Sequence, residues 1–297
     1  MKKWILILAL ALGIGHSLQA LAATVSPEEQ ILQLTEKWLG TPYGVGPLGE
    51  GRDGRYDQDP LYRFDQFDCV TFVETAIASV LVSDFDGFKK RMNEIRYLGG
   101  KVDYTTRNHF TEVDWIPNNI KNGILFDVMG EVEKHSKAPI PIAIAEIDKK
   151  HWYEKKSISE IKLEGVSTEE KQSRLLELQT RGREMPVEIS KLPYIPFSEF
   201  TNDRSEFTDQ ILATLPHVLV LSVVRPGWDL VAVAGTQLNV THQGLLLKID
   251  GKWVVRHASS DKRYRVVQDD LEVFLKNRQK VTGIKGIHIA GVSGVGF

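Results

Sequence analysis

Cys69 is the single cysteine of the chain, and it follows the polar loop Phe64-Asp65-Gln66-Phe67-Asp68. Behind it Val70, Val73, Ile77 and Leu81 recur at helical spacing, with Phe72, Ala76 and Val80 widening the stripe. Asp68 is therefore read as the N-cap of a helix whose first residue is Cys69. A thiol there meets the positive end of the helix dipole and unpaired backbone N–H groups, which favour the nucleophilic thiolate. The same N–H groups can hold an oxyanion formed on an attacked carbonyl. The Asp68 charge opposes the thiolate, and the competing reading of Cys69 is a small residue facing the core.

A nucleophilic cysteine needs a base, usually histidine. Asp250-Gly251 between two apolar runs is a type I′ hairpin signal. With those two residues as the turn, Ile249 faces Lys252 and His257 faces Gly244. His242 lies two residues along from Gly244 on the same face. His242 and His257 are then diagonal cross-strand neighbours, with Cα atoms about 7–8 Å apart. One can be the base and the other its orienter, and Gly244 leaves room for an imidazole between the strands.

The elements that must position these groups follow from the same kind of reading. Ser26-Pro27-Glu28-Glu29 starts a helix with Ile31, Leu34 and Trp38 on its apolar face. Residues 44–66, with five glycines and eight charged residues, are expected to be a long loop lining the site. A second helix is expected from Phe85 to about Leu98. Residues 101–126 read as irregular, Pro141 to Ile147 as a strand, and Ser167 as the cap of a polar helix ending near Gly182. Strands are expected over 217–224, 240–249, 253–258 and 283–292. The stretch 101–215 is taken as an insertion into one domain spanning 23–297.

Lys2 and Lys3, the uncharged run Trp4 to Ile14, and Ala20-Leu21-Ala22 form a secretory leader over residues 1–22, cleaved near Ala22. The apolar run is too short for a bilayer span. The expected protein is exported, periplasmic or secreted, and has no stable membrane insertion. Lys+Arg 37 against Asp+Glu 39, a net charge of −2, gives no sign of a nucleic-acid partner. One cysteine excludes an internal disulfide and a Cys-rich zinc site. His109 with Asp114, and His135 or His151, lack the helical spacing of a three-ligand zinc set, so no metal or other cofactor is expected.

Three segments together resemble a family. Phe67-Asp68-Cys69-Val70-Thr71-Phe72-Val73-Glu74, Thr241-His242-Gln243-Gly244-Leu245 and Arg256-His257-Ala258 resemble the signatures of NlpC-type, papain-like cell-wall cysteine hydrolases. Gly40-Thr41-Pro42-Tyr43-Gly44 resembles their upstream tyrosine motif. Arg107 to Trp115 and the large insertion resemble the N-acetylmuramoyl-L-alanine amidase-like branch. The resemblance implies an α+β, papain-like fold in which the Cys69 helix packs on an antiparallel sheet bearing His242 and His257. It implies Cys69 as nucleophile, His242 as base and His257 as third polar member, with Tyr43 near the substrate or oxyanion. Asp68, Asn108, His109 and Asp114 are the other candidate substrate or oxyanion residues. The implied partner is peptidoglycan or a muropeptide. Val70-Thr71 replaces the family's usual Ser-Gly, which favours the amide between N-acetylmuramic acid and L-Ala. The alternatives are the γ-D-glutamyl–diamino-acid bond, or a non-catalytic peptidoglycan-binding module.

Overall fold

The computed structural model describes residues 25–295 apart from Leu81 and Lys262. The leader expected over 1–22 lies outside the described residues. The first helix, α1 (Pro27–Lys37), begins where Ser26 Oγ accepts the Glu29 N–H at 3.1 Å. Next comes α2 (Cys69–Ala78), whose capping box is complete. Asp68 Oδ1 accepts the Thr71 N–H at 2.7 Å, and Thr71 Oγ1 accepts the Asp68 N–H at 2.9 Å. Thr71 thus serves the helix start. The following helix, α3 (Phe85–Arg96), stops short of Leu98, and Gly99 and Gly100 turn the chain with φ of +62° and +69°.

Residues 101–126 are more regular than their sequence suggests. They contain a π-helical turn (Thr111–Trp115), α4 (Ile116–Lys121) and β1 (Leu125–Asp127). After α5 (Met129–His135) come β2 (Ile142–Asp148), α6 (Lys149–Glu154), α7 (Thr168–Gly182), β3 (Val187–Pro193) and β4 (Ile195–Pro196). The chain ends in β5 (Val218–Asp229), β6 (Gln237–Ile249), β7 (Lys252–Ser259), β8 (Arg265–Asp270), α8 (Leu271–Gln279) and β9 (Gly286–Val292).

The seven-stranded sheet runs β1-β9-β5-β6-β7-β8, with β4 also on β9, and every pairing is antiparallel. β2 and β3 form a separate antiparallel pair. The molecule is therefore α+β with an antiparallel sheet. Stretch 101–215 carries β2 and β3 and also lends β1 and β4 to the main sheet.

Both faces of that sheet are covered, so β5 opens on the apolar run Val218 to Leu221 and resumes at Val223 and Val224 after the buried Ser222. Alternation sends Val218, Val220 and Val224 to one core, with Phe72, Val73 and Ala76 of α2. Leu219, Leu221 and Val223 go to the other core, with Phe274 and Leu275 of α8. A buried ion pair fixes the helices: Arg96 at the end of α3 binds Glu74 of α2, and Trp115 Nε1 donates to the same carboxylate at 3.0 Å. Removing one partner of such a pair leaves a buried charge uncompensated.

Among the described residues no helix is long and apolar enough to cross a membrane.

Candidate active site

The β6–β7 hairpin positions the histidines. Asp250 and Gly251 have φ of 49° and 77°, the two positive values that a type I′ turn requires. Ile249 pairs with Lys252 and Leu245 with Arg256, the register derived from sequence. A Cβ built on Gly244 would lie 2.9 Å from His257 Cβ, so that glycine keeps the space open. The two imidazoles meet across the strands, with His242 Nε2 2.8 Å from His257 Nδ1 and the rings edge to face.

The arrangement continues to a residue missed in the sequence. His257 Nε2 lies 3.2 Å from Asp269 Oδ2. Asp269 is on β8, opposite Val255, while His257 is opposite Val267. It is thus diagonal to His257 in the same way that His257 is diagonal to His242. Arg263 clamps Asp269 with Nη1 at 2.7 Å and Nη2 at 3.0 Å. Hydrogen bonds from His257 and Arg263 hold the Asp269 carboxyl down to about 2, against the opposing effect of burial.

A carboxylate accepts, so it sets His257 Nε2 as the N–H donor. His257 Nδ1 is then an acceptor and takes the N–H of His242 Nε2. His242 Nδ1 is left with its lone pair free to take a proton. Burial, followed by the neighbouring His257 and Arg278, pushes the His242 pKa well below the ordinary histidine range. Burial also lowers His257, although Asp269 pulls it back up. Both imidazoles are neutral at pH 7.

Cys69 is the first residue of α2, which packs against β6 and β7. The Gln243 backbone N–H is among the groups that favour its thiolate, as are those of Val70 and Cys69 itself. That places the thiol against the strand residue following His242. Burial and then the Asp68 charge outweigh these N–H groups and push the Cys69 thiol up to about 12. The helix start therefore does not make a resting thiolate, as its dipole alone suggests; the thiol is protonated at neutral pH.

Tyr43 sits beside this group. Its hydroxyl is raised well above the ordinary range by burial, and then by Cys69 and Asp68. Asp68 itself spends one oxygen on the helix cap. Asn108, His109 and Asp114 form a different cluster. Asn108 donates to Ile95 O at 2.9 Å, and His109 Nε2 lies 2.8 Å from Tyr104 O. Asp114 binds Lys149 at 2.6 Å. Among the described residues, none of their hydrogen bonds, ion pairs or ring contacts reaches Cys69, His242 or His257. With Thr105, Tyr153 and Met185 they line a cavity of about 220 Å³.

The 44–66 loop is irregular, as expected, but its bonds run towards that second region. Arg107 binds Glu50 and Asp57, Lys162 binds Asp59, and Arg55 binds Glu177. The loop is a platform for the 101–215 stretch, and among the described residues none of these ion pairs reaches the thiol. Among the described residues no group of three or more His, Cys, Asp or Glu is placed to hold a metal ion.

Residues 33–284 match the AmiA-like family, described as N-acetylmuramoyl-L-alanine amidase-like. The chain belongs to that amidase-like family. Among solved structures this amidase-like chain is similar to protein LPG0564 from Legionella pneumophila str. Philadelphia 1. The identity is 35%, covering 93% of this chain and 92% of that one, with a TM-score of 0.86. It shares its fold with an N-acetylmuramoyl-L-alanine amidase from Bacteroides uniformis at 21% identity, 90% and 99% coverage and a TM-score of 0.59. A putative xylanase from Bacteroides fragilis has the same fold at 22% identity, 87% and 99% coverage and a TM-score of 0.57. A search of curated proteins found no match.

Proposed function

We propose that the chain is an exported cysteine amidase that hydrolyses the bond between N-acetylmuramic acid and L-Ala in peptidoglycan or muropeptides, with a papain-like, NlpC-type arrangement of its site. The observation carrying this reading is the chain Asp269–His257–His242 across three adjacent strands, two of which, β6 and β7, abut the Cys69 helix. Membership of the amidase-like family supports the substrate class.

The step starts from a neutral pair. Cys69 Sγ attacks the lactyl carbonyl carbon while its proton passes to His242 Nδ1, so no resting thiolate is needed. The Cys69 backbone N–H and the Tyr43 hydroxyl stabilise the oxyanion. Asp269, acting through His257, stabilises the cation that forms on His242. The tetrahedral adduct collapses, the C–N bond breaks, and His242 returns the proton to the leaving L-Ala nitrogen. Water, deprotonated by His242, then hydrolyses the thioester and restores the thiol.

Mass spectrometry of digested muropeptides tests the assignment. Release of an intact stem peptide with a free L-Ala amine is the expected result. A muramoyl dipeptide would instead assign the γ-D-glutamyl bond, and no cleavage would leave a binding module.

A further inference from the structure

Arg278 on α8 is a cation beside the candidate site that nothing else uses. Its charge is felt at both Cys69 and His242. The guanidinium lies 4.9 Å above the Phe274 ring, and Phe274 packs edge-on against His257 at 5.3 Å. Among the described residues it makes no ion pair, and its Nε is buried without a hydrogen-bond partner. The nearest acids are already engaged. Arg263 binds both Asp261 and Asp269, and Asp269 also binds His257. A buried donor left unpaired costs about 1–3 kcal/mol. A structural arginine in this place would be expected to claim a carboxylate or backbone carbonyl, whereas this one is steadied by a ring and keeps its planar donors free.

We infer that Arg278 binds a carboxylate of the substrate on the leaving side of the scissile amide. This rests on the function proposed above, and that substrate names the group. The lactyl carboxyl of the sugar is the acyl partner of the scissile bond, and the L-Ala carboxyl is tied into the next amide. The closest free carboxylate is therefore the α-carboxylate of the D-Glu that follows. A guanidinium offers that group two parallel N–H bonds, which an ammonium does not. Arg278 is thus a specificity residue that reads the charge of the second stem residue.

Two muramoyl peptides serve as probes, one with the free D-Glu α-carboxylate and one with the α-carboxamide. The wild type should cleave the carboxylate form with a kcat/KM about tenfold or more higher, chiefly through KM. Arg278→Gln should reduce the ratio to within about twofold, and Arg278→Lys should retain part of it. Equal rates in the wild type, or unchanged discrimination in Arg278→Gln, would overturn the inference.

Calorimetry with both peptides on Cys69→Ala, with and without Arg278→Gln, separates this result from the chemistry. Arg278-dependent preference for the carboxylate in that inert background supports the site even where wild-type cleavage fails. Equal binding of the two peptides removes it even where cleavage succeeds. Should Arg278→Gln misfold, Arg278→Lys serves instead: a reduced carboxylate preference supports the site, and an undiminished one overturns it.

Discussion

His242 Nε2 and His257 Nδ1 stand 2.8 Å apart, and this contact decides which nitrogen of His242 is left for proton transfer. With Asp269 ionised beyond His257, both ring tautomers are set in one direction, and Nδ1 of His242 is the open acceptor. The pair is a tautomer relay held by three adjacent strands, β6, β7 and β8, each contributing one member by the same diagonal offset.

The first prediction concerns the distal carboxylate. Asp269→Asn removes a hydrogen bond to a charged partner, a loss of about 1.5–3 kcal/mol in such cases. Turnover should fall by roughly one to two decades, while His242→Ala should cost about 10²–10⁴-fold because proton transfer itself is lost. His257→Gln, which keeps a hydrogen-bonding side chain, should be milder than His257→Ala. Measured kcat values equal to wild type in Asp269→Asn would show that the relay ends at His257.

The pH profile follows from the direction of the shifts. An exposed histidine base loses activity as pH falls through about 6.5. His242 is held well below that value by burial and by His257 and Arg278, with Arg263 adding to the effect and Asp261 opposing it. Its neutral form therefore persists into more acidic solution. Asp269, held at about 2, stays ionised there as well. The acid limb of kcat/KM should lie below pH 6.5, and a half-maximal point at or above 6.5 would contradict the buried, neutral His242.

Thiol reactivity gives a separate check. With Cys69 pushed up to about 12, iodoacetamide should label it more slowly at pH 7 than a free thiol of pKa about 8.5, and the rate should keep rising well above pH 9. Asp68→Asn retains a side-chain oxygen for the Thr71 N–H but removes the charge beside the thiol. That variant should label faster at every pH in this range, with little loss of melting temperature. Slower labelling in Asp68→Asn would mean that the cap, not the charge, controls the thiol.

Much of this site was legible from local rules. Asp250-Gly251 sets the hairpin, the hairpin sets the register, and the register brings His242 to His257. The Asp68 cap was visible for the same reason, since capping is a matter of nearest neighbours. Asp269 escaped because Arg265 to Asp270 has two adjacent apolar residues between charged ends and shows no alternation. The diagonal rule that found His257 would have found Asp269 had that segment been placed as a strand. The α8 helix did carry a signal, with Asp270 as cap and Leu271, Phe274 and Leu275 at helical spacing. The protonated state of Cys69 was not legible, since the surroundings of the thiol include β6, which is distant in sequence. The same holds for the 44–66 loop, whose direction depends on Arg107 and Lys162.

Gly244→Ala tests whether the spacing of the two histidines matters for activity. Gly244 sits in β6 between His242 and Leu245 and opposite His257. An added Cβ would come to 2.9 Å from the Arg256 carbonyl oxygen and 2.9 Å from His257 Cβ, with Val255 Cγ1 at 3.4 Å. The first contact is with backbone in a paired strand, which cannot turn aside as a flexible side chain would. The strands must therefore part, or the His257 side chain must shift. Overpacking of this kind costs about 1–3 kcal/mol, and for a chain of this size each kcal/mol lowers Tm by roughly 2–4 °C. Activity should fall by more than that stability loss implies at temperatures where the variant is fully folded, because a displaced His257 loses its 2.8 Å contact with His242. The informative comparison is kcat well below Tm, set beside a core variant of equal Tm far from the site, such as one at Leu178. Equal kcat in the two variants would assign Gly244 to packing alone and detach His257 from turnover.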